Sequence, residues 1–88
     1  MSTGHIDREE VGANMEFETY DFYLACFLRC TGYDLLAMRA EGRRKVFVFC
    51  DRPSRRGDVL AFYSDNTVVR PMAFASTIRD MKGLLHNG

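Results

Sequence analysis

Seven basic side chains crowd one stretch of the chain, Arg39, Arg43, Arg44, Lys45, Arg52, Arg55 and Arg56, against Glu41 and Asp51 as the only acids between them. Arginine is the side chain best suited to a phosphate or carboxylate, because its planar fork donates two hydrogen bonds at once. Arg79 and Lys82 stand three residues apart near the C-terminus, and His86 follows four residues later, which puts all three on one side of a helix. Such a set could hold a polyanion through salt-sensitive contacts, or form the rim of a protein-binding surface. The competing explanation is that a hairpin tip and a helix start are where a small protein places solvated charge.

The other reactive side chains assemble nothing comparable. Cys26 and Cys30 share a helix face at a spacing of four, but a structural zinc site needs four ligands and no second pair is present. Cys50 lies in an apolar run, so all three cysteines read as reduced, buried hydrophobes. His5 and His86 lie at opposite ends, no serine or cysteine has a nucleophile-elbow context, and no glycine run precedes a Gly-Lys-Ser/Thr phosphate loop. Arg56-Gly57-Asp58 spells an adhesion tripeptide and reads as coincidence. No catalytic, metal or cofactor site is expected, and no small-molecule ligand.

With 88 residues, 47% of them hydrophobic, the chain has room for one domain and enough apolar material to pack it. A core of this size is marginal, so self-association would help it. The formal net charge is zero but unevenly spread: residues 1–22 carry six acids and one base, and the rest carry eleven bases and six acids. Residues 1–16 read as a mobile acidic arm and residues 17–88 as a single α+β domain. No apolar run is long enough to span a bilayer, and the first residues lack the basic-then-apolar pattern of a leader. A cytoplasmic protein without membrane contact is expected.

The elements that must position the basic residues follow from spacing. Thr19 is placed to cap a helix through Tyr20–Cys30, with Gly32 as its stop. Glu41-Gly42 reads as a two-residue turn joining two apolar strands, which would set Ala40 opposite Arg43 and place Leu36, Met38, Phe47 and Phe49 on one face. Val46 and Val48 then occupy the other face, so both faces of the ribbon are apolar away from its tip. A short helix is expected from Pro53 to Tyr63, stopped at Ser64-Asp65-Asn66, then an extended Thr67–Arg70 able to add a third strand. Pro71 opens a last helix whose Phe74, Ile78, Met81 and Leu85 repeat on one side. The order α-β-β-α-(β)-α describes a small α+β fold, an antiparallel hairpin-based sheet of two to three strands covered by about three helices.

Asp21, Tyr23, Leu24 and Ala25 in the first helix, Gly32-Tyr33 before the first strand, Phe47 and Phe49 in the second, and Arg79 and Lys82 in the last helix form a recurring pattern. Over residues 19–86 this resembles a small domain-of-unknown-function family of bacterial, archaeal and phage sequences. The resemblance implies no activity, and it suggests a phage or mobile-element origin. The expectation is a non-enzymatic module that binds another protein or its own copy through the open edge or second face of the hairpin or part of the first helix, with arginines at the rim. The alternative is a small nucleic-acid-binding accessory protein using the hairpin tip and the last helix.

Overall fold

The computed structural model describes residues 15–87. They form β1 (Glu16–Thr19), α1 (Phe22–Cys30), β2 (Leu35–Glu41), β3 (Arg44–Cys50), α2 (Arg55–Tyr63) and α3 (Pro71–Asn87). The strands make one antiparallel sheet in the order β1-β3-β2, so the fold is α+β with three strands and three helices. Residues 1–14, the larger part of the expected arm, lie outside the described residues.

The third strand comes from the other end of the chain than expected. Glu16, assigned above to the arm, starts β1 and pairs with Cys50, while Thr67–Arg70 has no regular structure and does not join the sheet. The Glu-Phe-Glu-Thr alternation is the cause: Phe17 packs on the core and the two glutamates point to the opposite face, the period-two pattern of a half-buried strand.

Because β1 runs on to Thr19, α1 starts later than the spacing predicts. Asp21, not Thr19, is the N-cap, and its Oδ1 accepts hydrogen bonds from the N–H groups of Tyr23 and Leu24. The other end is closed by Gly32 at φ +102°. Its N–H donates to the Arg29 carbonyl and the Tyr33 N–H to that of Leu28, a Schellman motif that needs the left-handed conformation only glycine adopts freely. Leu24 through Leu28 are all buried, so α1 is the central helix, packed on α3 and on one face of the sheet. That core takes Phe47, Phe49, Tyr33 and Met81, with Phe74, Ile78 and Leu85 of α3 against it as the sequence predicts.

The hairpin register differs from the expected one. Gly42 and Arg43 form the two-residue turn and Glu41 pairs with Arg44, because the positive φ of the first turn residue, +62°, falls on Gly42 and spares Glu41. Side-chain faces are unchanged until a bulge between Leu35 and Ala37. There Leu35 opposes Phe49 and turns to the core, leaving Leu36 on the outside, 52% exposed. In α2, Pro53 and Ser54 form a turn and the helix begins at Arg55; Asp65, at φ 60°, closes it where the Ser-Asp-Asn stop was expected.

Candidate functional site

The second face of the hairpin is not left open. Val46 and Val48 sit on the central strand away from the helices, yet only 2% and 3% of their surface is exposed. A polar lattice roofs them. Arg39 on β2 reaches across β3, its Nη1 donating to Glu18 Oε2 at 3.0 Å and its Nη2 to Glu18 Oε1 at 2.9 Å and Glu41 Oε2 at 2.9 Å. Tyr20 donates to Glu41 Oε1 at 2.7 Å, and the Arg44 guanidinium lies over the Tyr20 ring, 3.7 Å from its centroid. These side chains share the face of Val46 and Val48, because β1, β3 and β2 are in a register that puts Glu18 beside Val48 and Arg39 beside Val46. Paired guanidinium and carboxylate groups hold the aliphatic stem of Arg39 over the valines. The Arg39 hydrogen bond keeps the Glu18 carboxyl below its usual range, and the Tyr20 and Arg39 hydrogen bonds do the same for Glu41.

The basic residues singled out in the sequence do not form one patch. Arg39 is neutralised in the roof. Arg55 pairs with Asp51 at 3.1 Å and lies over the Phe17 ring, and Arg52 donates to the Gly32 carbonyl while covering the Tyr33 ring. Arg44 is stacked on Tyr20. Among the described residues, Arg43, Lys45, Arg56, Arg79 and Lys82 have no carboxylate partner, and they are divided between the hairpin tip, the outer side of α2 and α3. Lys82 acts on a neighbour instead: burial pushes the Cys26 thiol up to about 11, and the Lys82 charge partly opposes it. Cys26, Cys30 and Cys50 are thiols.

A second cluster, absent from the sequence reading, ties α2 to the α1–β2 junction. Tyr33, 1% exposed, donates to Asp58 Oδ2 at 2.5 Å, and Ser54 donates to the same oxygen at 3.1 Å. Burial first, and the Asp58 carboxylate second, raise the Tyr33 hydroxyl above its ordinary range. At the other end of α2, Tyr63 donates to Asp21 Oδ2 at 2.6 Å, and that bond pushes Tyr63 up to about 12. Burial alone would raise Asp21, but the hydrogen bonds from Tyr63, Leu24 and Tyr23 outweigh it and hold the carboxyl below its usual range. These are fastening contacts within the chain.

One shallow depression, lined by Met15, Asp51, Arg52 and Pro53, has a volume of about 120 Å³, below the 300–1,000 Å³ range of ligand pockets. No group of three metal-ligating side chains is found among the described residues, and no helix there is long and apolar enough to cross a membrane.

The sheet has two outer edges, that of the four-residue β1 and that of the seven-residue β2, and among the described residues neither is paired with a further strand; the β2 edge is the longer. The pair closing a two-residue hairpin loop exchanges both of its hydrogen bonds, so Glu41 and then Arg39 turn their backbone groups to β3. Ala40 and Met38, between and before them, turn theirs outward. Two residues of this edge, Arg39 and Glu41, carry opposite charges on one face.

No curated protein and no solved structure matches the chain. The family model described as Domain of unknown function (DUF5659) matches residues 14–87, from the approach to β1 to the end of α3. The chain therefore belongs to the DUF5659 family of small domains of unknown function.

Proposed function

We propose that this domain is a non-enzymatic interaction module that acts by adding a strand to the β2 edge, and that the strand it takes is the β2 of a second copy. The observation that carries the reading is that both faces of the sheet are covered within one chain, by helices on one side and the Arg39–Glu18–Glu41 lattice on the other, while the β2 edge offers unpaired backbone groups at Met38 and Ala40. An open strand edge is a template for another strand, and main-chain hydrogen bonds supply the affinity. Of the three docking surfaces expected from the sequence, the second face of the hairpin is roofed and α1 is interior, which leaves the edge.

The second copy is favoured by charge. With a two-fold axis at Ala40, antiparallel pairing sets Arg39 opposite Glu41 of the other copy twice over, and the strand has no net charge to oppose the approach. Arg39 and Glu41 would then extend the lattice across both molecules. The three thiols suit a reducing compartment, and the module is assigned to the cytoplasm on that ground.

The test is Ala40→Glu. Within the chain the new carboxylate faces Lys45, its cross-strand partner, so folding is preserved; across the two-fold axis it faces its own copy and repels it. Light scattering is expected to give twice the chain mass for the wild type and the single-chain mass for A40E. A wild type that stays monomeric at every concentration rejects the reading.

A further inference from the structure

The antiparallel register sends the end of β1 toward the hairpin tip, since Thr19 pairs with Phe47 while Glu16 pairs with Cys50. The start of α1 follows it, and Tyr63 at the end of α2 is drawn to the same place by its hydrogen bond to Asp21. Three tyrosines therefore gather at one end of the molecule, all of them exposed: Tyr20, whose ring carries Arg44, at 46%, Tyr23 at 54% and Tyr63 at 59%. The hairpin tip brings Arg43, Arg44 and Lys45 to that end. Of the carboxylates there, Asp21 is committed to the α1 cap and Tyr63, and Glu41 to Tyr20 and Arg39, while Asp65 closes α2 two residues beyond Tyr63. None of the three cations has an ion-pair partner among the described residues.

Exposed rings beside cations that have no ion-pair partner are the chemistry that holds a single nucleic-acid strand: bases stack on the rings and phosphates meet the cations. From this juxtaposition we infer that the hairpin-tip end is a binding surface for single-stranded nucleic acid, with Tyr23 and Tyr63 as stacking platforms and Arg43 and Lys45 as phosphate contacts. Arg52, Arg55, Arg79 and Lys82 are not part of the proposed surface. A duplex, whose bases are not free to stack, fits it poorly. The inference does not depend on pairing at the β2 edge, because a single chain contains the whole surface.

The experiment uses the full chain and a labelled oligothymidine of about 15 nucleotides, long enough to cover one such site. Fluorescence polarisation at low and moderate salt is expected to show binding that weakens with salt. Tyr23→Ala is expected to weaken it by about five- to 150-fold, the cost of one lost stacked base. Arg43→Ala combined with Lys45→Ala is expected to flatten the salt dependence by about 1.4 in the log–log slope, two single-strand phosphate contacts. Arg79→Ala with Lys82→Ala is expected to change nothing. Circular dichroism melts of each variant show that the fold is retained. The inference is overturned by no binding at low salt, by a labelled duplex binding as tightly as the single strand, or by loss of affinity in the α3 variant with the tip variants unchanged.

Discussion

Arg39 on β2 and Glu18 on β1 are joined across the full width of the sheet by two parallel hydrogen bonds of 3.0 and 2.9 Å, with the central strand beneath them. The pair is half exposed, so its charge alone contributes little; its effect is to pin the Arg39 stem over Val46 and Val48. Arg39→Ala is expected to lower the thermal midpoint more than Arg39→Met, which keeps an unbranched apolar stem. Equal midpoints for the two variants in thermal melts would show that the roof does not work by covering the valines.

Two glycines should respond in opposite directions to the same substitution. Gly32 sits at φ +102° in the α1 stop with the Arg52 guanidinium 3.4 Å from where a Cβ would stand, so Gly32→Ala is expected to cost about 1–2 kcal/mol. Gly57 lies in α2 with open space around it, and Gly57→Ala is expected to gain about 0.5–1 kcal/mol. Urea unfolding of both variants measures this.

Removing the hydroxyl of Tyr33 leaves the ring in the core and Asp58 bonded to Ser54 alone. Tyr33→Phe is expected to cost about 1.5–3 kcal/mol, the range for a hydrogen bond to a charged group. A loss below about 0.5 kcal/mol on the same urea scale would mean that Asp58 is satisfied without it.

Stability should have a plateau bounded on both sides. Glu18, Asp21, Glu41 and Asp51 all have folded-state values below their ordinary ones, so their contribution is complete above about pH 5 and is lost as the pH falls through those lowered values. Tyr63, held by Asp21, is raised to about 12 from 10.0; its contribution is complete below about pH 9 and is lost as the pH climbs through 12. The urea midpoint followed against pH is expected to fall at both ends, and Tyr63→Phe is expected to soften the alkaline fall and, because the same bond lowers Asp21, the part of the acid fall that Asp21 contributes.

Periodicity made much of the architecture readable in the sequence. Phe74, Ile78, Met81 and Leu85 face the core as their spacing requires, and Gly32 and Asp65 stop their helices where such residues should. Acidity hid β1, since Glu16 read as the end of an acidic arm, and Glu18 gains its partner only from Arg39, twenty-one residues away. The hairpin register turned on which of Glu41 and Gly42 takes the positive φ, and the Leu35–Ala37 bulge on a pairing no local signal records. The basic patch failed as a unit for the same reason: which arginines are neutralised depends on contacts such as Arg55 with Asp51 and Arg39 with Glu18, decided by the tertiary fold. The tyrosine cluster was likewise out of reach, because Tyr63 meets Asp21 across forty-two residues.

Pairing at the β2 edge is most directly tested by amide hydrogen exchange, residue by residue, in dilute and concentrated solutions. In a single chain the Arg39 and Glu41 amides bond to β3 and are slow, while the Ala40 amide faces solvent and is fast. Exchange at Ala40 is expected to slow as concentration rises, with the β1 amides unchanged. An Ala40 amide that exchanges at one rate across the whole concentration range would contradict the account.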